Sequence, residues 1–166
     1  MARGARVSRP SVYVETTVVS YLVAKPSRDL IVAAHRQMTR QWWEGPARQF
    51  ELLISPVVLD EIAVGDPDAA RERLAVVSGL RVLQMVPEVE ALGAVYFARL
   101  GMPRRARPDA FHLAFAAWHG VEFRATWNCT HLANACILDV LGEVNAARGI
   151  RTPIVCTPEQ LIWRPV

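Results

Sequence analysis

The stretch Ser11-Val-Tyr-Val-Glu-Thr-Thr-Val-Val-Ser-Tyr-Leu-Val23 indicates the fold of this chain. Its first residues are rich in β-formers and end at an acidic residue, Glu15, which predicts a short strand. Thr16 and Thr17 then offer hydroxyls that suit the cap of a helix over residues 18–23. A strand followed directly by a helix is the unit from which parallel sheets are built.

The same alternation of strand and helix continues along the rest of the chain. Further strands are predicted at 50–55, 80–86, 122–127 and 154–156, and helices at 28–44, 56–64, 68–77, 87–100, 106–119 and 132–148, with a last helical turn from 157. Ser27 and Ser55 are the predicted N-caps of the second and third helices, and Pro56 follows the latter at the first helical position. The pattern therefore predicts an α/β fold, an α/β/α sandwich with a mainly parallel central sheet. In such sheets the functional residues lie at the carboxyl ends of the strands.

Length and composition favour one domain over residues 11–166, preceded by a basic disordered leader at residues 1–10. The 166 residues are 52% hydrophobic and 21% charged, which suits a chain with a sizeable core. Apolar runs such as 113–118 are far shorter than the roughly 20 residues of a membrane-spanning helix. Three cysteines without Cys-x-x-Cys spacing argue against a disulfide framework or a structural zinc site, so a reducing cytoplasm is expected.

The charge of the chain is compatible with a polyanionic partner. Nineteen basic and sixteen acidic residues give a formal net charge of +3. A net charge of this size speaks to non-specific association and not to fold, so it does not identify nucleic acid by itself.

Polar residues at the ends of strands and the starts of helices form the candidate site. Glu15 ends the first predicted strand, Glu61 lies in the helix after the second, Asp109 begins an apolar helix and Asn128 follows the fourth strand. Clustered carboxylates would repel one another unless a divalent cation or a proton neutralised them. A metal held in this way can stabilise a transferring phosphoryl group and lower the pKa of a bound water. Each acid taken alone is explained better as a solvated or capping residue.

Four motifs in this order resemble the PIN-domain family, including its VapC-like toxin ribonucleases. They are Tyr13-Val-Glu-Thr-Thr-Val-Val-Ser-Tyr-Leu22, Ile54-Ser-Pro-Val-Val-Leu-Asp-Glu-Ile62, Arg107-Pro-Asp-Ala-Phe-His-Leu-Ala114 and Ala125-Thr-Trp-Asn-Cys-Thr-His-Leu-Ala-Asn134. Each motif alone is weakly specific, but together they cover about residues 11 to 162. The resemblance implies a PIN-like sandwich.

The resemblance also implies a site, a cofactor and partners. The family's acidic positions fall on Glu15, Glu61 and Asp109, which become the expected ligands of Mg²⁺ or Mn²⁺. Its fourth acidic position falls on Asn128, which completes the predicted catalytic set. The implied activity is endonucleolytic cleavage of RNA, and the implied partners are RNA, a cognate antitoxin protein and a second copy of the chain.

Two positions depart from the family's pattern. Glu15 is one methylene longer than the usual Asp, which shifts its carboxylate relative to a metal with strict octahedral demands. Asn128 offers a neutral carbonyl in place of a carboxylate, which puts a second metal in doubt. His131 lies three residues later, where it either contacts phosphate or metal or serves as a cap or surface residue.

Several neighbours of the candidate site carry two interpretations each. Thr16 and Thr126 either hydrogen-bond the acidic side chains or act as ordinary caps. Asp60 should point about 100° away from its neighbour Glu61 on a helix, and is expected to face solvent. His112 lies on the same helix face as Asp109, but a lone histidine in an apolar helix is more often a core residue.

A basic segment, Arg104, Arg105 and Arg107, precedes Asp109 directly. It either grips the phosphates of a passing RNA strand or is a solvated loop that pairs with neighbouring acids. Trp42 and Trp43 are explained better by packing than by base stacking.

The cysteines are expected to be small buried residues, with Cys129 a nucleophile only if a base is close. The apolar helix that carries both tryptophans, together with the dimers of similar PIN domains, predicts self-association.

Three functions remain open at this level. The leading hypothesis is a metal-dependent ribonuclease that acts as the toxin of a toxin-antitoxin pair. The first alternative is a catalytically weak PIN-like module that binds RNA or protein, favoured by the departures at Glu15 and Asn128. The second is a different α/β metal phosphohydrolase that cleaves small phosphate esters instead of RNA.

Overall fold

A computed structural model describes residues 9–163 of the chain. Residues 1–8 of the predicted basic leader lie outside the described residues. Pro10, the last residue of that predicted leader, is buried, and its carbonyl accepts a hydrogen bond of 3.0 Å from the amide of Glu51. Within the described residues, Pro10 is therefore already part of the packed structure.

The described residues alternate between strands and helices. The strands are Ser11–Val14 (β1), Glu51–Ile54 (β2), Arg81–Val82 (β3), Phe123–Ala125 (β4) and Ile154–Cys156 (β5). The helices are Thr16–Val23 (α1), Leu30–Glu44 (α2), Pro56–Ile62 (α3), Pro67–Val77 (α4), Pro87–Arg99 (α5), Arg107–Trp118 (α6) and Ala135–Ala146 (α7). Short 3₁₀ helices occupy Pro46–Gln49, Arg104–Ala106 and Pro158–Leu161.

All five strands pair in parallel, in the order β3-β2-β1-β4-β5. In the centre of the sheet, Val12 of β1 lies beside Leu52 of β2 on one side and Phe123 of β4 on the other. Helices α1 to α4 pack among themselves, and α5 packs on α6 and α7. The fold is thus the predicted α/β class, with an all-parallel sheet consistent with an α/β/α sandwich.

The centre of the sheet is buried on both faces. Val12, Tyr13 and Val14 follow one another in β1, and all three are 0% exposed. Consecutive burial is expected of a parallel strand covered by helices on both sides, because successive side chains point to opposite faces. Nowhere in residues 9–163 does a helix combine the length and the apolar character that a membrane crossing would require.

Most predicted elements are confirmed, and the differences lie at their ends. Helix α2 is capped by Asp29 and not by Ser27, because the Asp29 carboxylate accepts hydrogen bonds from two amides of the first turn. Helix α7 begins at Ala135 and not at Leu132, since Asn134 caps it in the same way. Strand β3 has two residues of the predicted 80–86, as expected of a short strand at the sheet edge.

Candidate active site

The strand order places the candidate site at the point where the chain changes direction across the sheet. From β1 the chain moves outward through β2 and β3, and it then returns to the other side of β1 with β4. The carboxyl ends of β1 and β4 therefore frame a crevice of the kind in which parallel sheets bind ligands. Glu15 follows β1 directly, and Thr126 follows β4.

Glu15 is fixed by the residues at this crevice. It is the N-cap of α1, a role that the sequence assigns to the threonines, and it is 3% exposed. Its Oε2 accepts hydrogen bonds from the amide of Thr17 at 3.1 Å, from the Thr17 hydroxyl, and from the Thr126 hydroxyl at 2.8 Å. The start of a helix stabilises a negative charge, so this position suits a carboxylate. The Thr126 contact supports the first of its two sequence interpretations.

Glu61 is held by a second set of donors. Its Oε2 accepts hydrogen bonds from the Thr16 hydroxyl and from Nε2 of His112, the latter at 3.0 Å. Burial alone would raise the pKa of Glu61, but the hydrogen bonds from His112 and Thr16 and the charge of His112 lower it below its usual value. Glu61 is therefore a carboxylate at neutral pH.

A buried chain of hydrogen bonds stands behind Glu61. The Tyr13 hydroxyl lies 2.7 Å from Nδ1 of His112 and 2.7 Å from Oγ of Ser55, and the same Ser55 oxygen caps α3 by accepting from the amide of Val58. The His112 ring is therefore held on both sides, with Glu61 at Nε2 and the Tyr13 hydroxyl at Nδ1. Burial raises the pKa of Tyr13 far above its usual value, so this hydroxyl keeps its proton.

His112 is the site residue that the sequence interpretation set aside. It is 0% exposed, as expected of a core residue, yet both of its ring nitrogens have polar partners. One ligand atom each from Glu15, Glu61 and His112 lies within 4.8 Å of the other two, a spacing at which a metal ion fits. The only hint in the sequence was its position three residues after Asp109, on the same helix face.

Asp109 lies outside this trio and belongs to a ring of hydrogen bonds with Asn128 and His131. Its Oδ1 accepts from the Asn128 side-chain amide at 3.2 Å, and its Oδ2 is 2.9 Å from Nδ1 of His131. The His131 backbone amide donates to Oδ1 of Asn128 at 3.1 Å, which closes the ring. Burial raises the pKa of Asp109, the histidines His112 and His131 oppose the rise, and the negative charge of Glu15 adds to it.

Arg124 is a buried cation beneath the site, and the sequence interpretation did not single it out. It is 0% exposed, it pairs with Tyr13 in the sheet register, and its three guanidinium nitrogens have no hydrogen-bond partner among residues 9–163. Burial lowers the pKa of Arg124, while the charge of Glu15 raises it. A positive charge in this place reduces the mutual repulsion of the acids around it. A lone arginine inside a short apolar strand was the available hint.

The structure confirms some of the remaining sequence predictions and contradicts others. Asp60 is exposed and Trp42 is fully buried, and both observations agree with the predictions. Cys156 is buried as expected, but Cys129 and Cys136 are exposed, because the turn after β4 and the first turn of α7 face outward.

The basic segment lies at the N-terminal end of α6. Arg104, Arg105 and Arg107 are exposed, and none of them forms an ion pair with another residue in the range 9–163. The guanidinium of Arg107 lies over the ring of Phe111, 5.7 Å from its centroid. Of the two interpretations of this segment, pairing with neighbouring acids is not seen in the described part of the chain.

In comparisons with known proteins, the chain matches no protein-family model and no curated protein.

Two carboxylate oxygens of the site, Oε1 of Glu15 and Oε1 of Glu61, are the most available to bind a metal ion. Within the described residues, Oε2 of Glu15 and Oε2 of Glu61 receive all the hydrogen bonds to these side chains, so Oε1 of each has none. Carboxylate oxygens are the donors that Mg²⁺ and Mn²⁺ prefer. The donor set therefore fits a hard divalent cation. His112 is less suited to bind it, because both of its nitrogens already face partners.

Proposed function

We propose that this protein is a metal-dependent endoribonuclease of the PIN type that hydrolyses phosphodiester bonds. The observation that carries the proposal is the convergence of Glu15, Glu61 and His112 within 4.8 Å at the crevice between β1 and β4. Two acids that share one small space favour a cation, since without one they repel each other. The resemblance of four motifs to PIN domains supplies the reaction class.

Glu15 and Glu61 are the proposed principal ligands of Mg²⁺ or Mn²⁺. Asp109 is the proposed third member: each of its oxygens accepts one hydrogen bond and keeps a further lone pair. When bound, the ion neutralises charge on the phosphoryl group and makes hydroxide available near neutral pH.

The protein's own residues hold this acidic set in place. Thr17 and Thr126 fix the rotamer of Glu15, and Thr16 and His112 fix that of Glu61. The pKa of Glu61 is lowered by these contacts, which keeps the side chain ionised and ready for a cation. Asn128 has no charge to offer and instead orients Asp109. Asn128 thus puts a neutral side chain at one of the four acidic positions of the family. The smaller negative charge of the site favours one bound ion over two.

The test compares wild type with Asp109→Asn on labelled single-stranded RNA, with Mg²⁺, Mn²⁺ or EDTA. We expect wild type to cleave only with metal, and the variant to be slower by roughly two or more orders of magnitude, because several kcal/mol of metal stabilisation are lost at about 1.36 kcal/mol per tenfold. The variant should melt at the same or a higher temperature, since burial disfavours the charge that it removes.

Two outcomes would reject the proposal. Equal cleavage by both proteins, or cleavage untouched by EDTA, would indicate a contaminating nuclease or a site without metal. Failure of wild type both to bind Mn²⁺ and to cleave RNA would favour the non-catalytic PIN-like module, and cleavage of small phosphate esters alone would favour the phosphohydrolase.

We further propose that the ribonuclease is a cytoplasmic toxin restrained by an antitoxin protein. Its expression in a bacterium should stop growth, and the Asp109→Asn variant should not. A neighbouring gene for a small DNA-binding protein whose co-expression restores growth would support this role. Growth arrest by both proteins would contradict it.

We also propose that two copies associate through the start of α2. Leu30 and Ile31 are 84% and 68% exposed there, although the sequence pattern places Leu30 on the apolar face of the helix. Large apolar side chains that neighbour one another in solvent are a common mark of an interface. Sedimentation at micromolar concentration should show a dimer, and replacement of both residues by serine should give a monomer.

A further inference from the structure

The N-terminal end of α6 borders a groove that the acidic site does not use. The groove has a volume of about 530 Å³ and is lined by Ala94 and Phe97 of α5 and by Arg104 and Arg107. This volume lies within the range of about 300 to 1,000 Å³ that is usual for small-ligand sites. Its wall thus combines two cations with an aromatic ring.

The two arginines are available to a ligand. Neither Arg104 nor Arg107 forms a side-chain hydrogen bond or an ion pair with any residue that the structure describes, and both are exposed. Arg107 is also steadied from one side, because its guanidinium lies over the ring of Phe111. A steadied guanidinium loses less conformational entropy when it binds a phosphate.

The groove and the acidic site lie on different sides of α6. Phe111 packs so closely on Gly93 of α5 that an added Cβ there would be 3.0 Å from its ring, so this side of α6 faces α5. Asp109 lies two residues from both Phe111 and Arg107, which is about 200° around the helix. A chain that leaves the groove reaches the acids by crossing the end of α6, a width of about 10 Å.

We propose that this groove binds one nucleotide of the single-stranded RNA substrate across the end of α6 from the scissile bond, with the phosphate at Arg104 and Arg107 and the base against Phe97. The inference rests on the proposed ribonuclease function and names where its substrate is held. Arginine pairs with phosphate oxygens through its planar fork, and aromatic rings stack on bases whatever their identity.

Binding is measured without chemistry, in EDTA, by the fluorescence anisotropy of a labelled 12-nucleotide RNA of mixed sequence. We expect Arg104→Ala and Arg107→Ala each to weaken binding by about five- to tenfold, and to reduce the slope of log affinity against log salt by roughly 0.7 each. Phe97→Leu should weaken binding by about fivefold or more without changing that slope. The same RNA as a duplex should bind more weakly than the single strand, since its bases are already stacked.

Arg105→Ala is the matched control, because Arg105 carries the same charge in the same segment but does not line the groove. It should change affinity by less than about twofold, as expected of an exposed charge outside the path of the strand. A loss as large as that of Arg104→Ala would overturn the groove in favour of diffuse charge. Unchanged binding by Phe97→Leu would overturn the stacked base. Displacement of the RNA by polyglutamate at equal concentration would overturn it as well, because polyglutamate carries negative charge but no bases.

A second measurement does not depend on how well Phe97→Leu folds. Ultraviolet crosslinking of wild type to RNA that contains 4-thiouridine should join the base to the α5 segment around Phe97, and a crosslink elsewhere would overturn the assignment. The proposed groove and the proposed ribonuclease activity can be rejected independently of each other. Metal-dependent cleavage with unchanged binding by both arginine variants would leave the ribonuclease and reject the groove, whereas the expected binding without any cleavage would do the reverse.

Discussion

Glu61 and Asp109 are two carboxylates of one site that the fold holds in opposite ways. Glu61 is the more exposed, with 32% of its side chain accessible against 15% for Asp109, and its pKa is lowered while that of Asp109 is raised. The difference lies in the donors. Glu61 is bound by a fully buried histidine and a threonine, whereas Asp109 is bound by the loop after β4 and also faces the charge of Glu15. Burial raises the pKa of both groups, and the hydrogen bonds and neighbouring charges outweigh it at Glu61 but not at Asp109.

The two carboxylates also divide the site into a rigid half around Glu61 and an adjustable half around Asp109. Tyr13, Ser55 and His112, which stand behind Glu61, are all 0% exposed. His131 and Asn128, which hold Asp109, are partly exposed and lie outside regular secondary structure. Changes in the Glu61 half should therefore affect stability and activity together, and changes in the Asp109 half should affect activity with little change in stability.

The largest effect is expected from Glu61→Gln. This substitution removes the charge of a proposed principal ligand, so RNA cleavage and Mn²⁺ affinity should each fall by about 100-fold or more, at roughly 1.36 kcal/mol per tenfold. Cleavage rates and calorimetric titration with Mn²⁺ measure the two quantities. Asp60→Asn is the control, since it makes the same charge change on the same helix at an exposed position. If the two variants lost the same activity, Glu61 would have no special role.

Tyr13→Phe should have the next largest effect and should show the coupling within the rigid half. The free energy of unfolding should fall by about 1 to 3 kcal/mol, because the substitution leaves the buried Nδ1 of His112 without its partner. Mn²⁺ affinity should fall by roughly tenfold as Glu61 loses its fixed position, equivalent to about 1.4 kcal/mol.

Tyr96→Phe provides the control for this variant. Tyr96 is also buried and donates its hydroxyl proton to Asn145, which does not contact the acidic site. Chemical denaturation should show a comparable loss of stability, with Mn²⁺ affinity unchanged. A similar loss of Mn²⁺ affinity in both variants would mean that general destabilisation, and not the position of Glu61, is being measured.

His131→Ala should reduce cleavage less than Glu61→Gln, by about three- to tenfold, because Asp109 keeps its hydrogen bond from Asn128 and a typical hydrogen bond contributes a net of about 1 kcal/mol. Stability should change by less than about 1 kcal/mol, since the side chain is partly exposed. His119→Ala, which removes a histidine bound to a backbone carbonyl elsewhere, should leave cleavage unchanged. A loss equal to that of Glu61→Gln would end the distinction between the two halves.

The smallest effect is expected from Cys129→Ala. Cys129 is exposed and adjacent to Asn128, but no base contacts its thiol among residues 9–163. Cleavage rates should therefore stay within about twofold of wild type, since a thiol is a useful nucleophile only when a base activates it. Inactivation by this substitution, or by iodoacetamide, would point to covalent chemistry instead of hydrolysis by activated water.

The chain's local signals account for most of the fold. Ser55 and Pro56 start α3 as predicted, and the order of strands and helices follows the predicted alternation. The errors occur where two residues compete for one role. Ser27 and Asp29 are both good caps, and only the geometry of the first turn of α2 selects Asp29. In the same way, the side chains of Asn128 and Asn134 both accept hydrogen bonds from backbone amides after β4. Asn134 is the one that caps the helix, so α7 begins at Ala135.

The sequence by itself determined the α/β class and the candidates Glu15, Glu61 and Asp109, because hydrophobic periodicity, caps and strand-end acids are local properties. Only the tertiary structure decided which of them share a space and what holds them. It added His112, which contacts Glu61, 51 positions away, and Arg124, which lies beside Tyr13 of the neighbouring strand, and it assigned Asp109 to the ring with Asn128 and His131. Contacts of that kind depend on the order of strands in the sheet, which no local pattern contains.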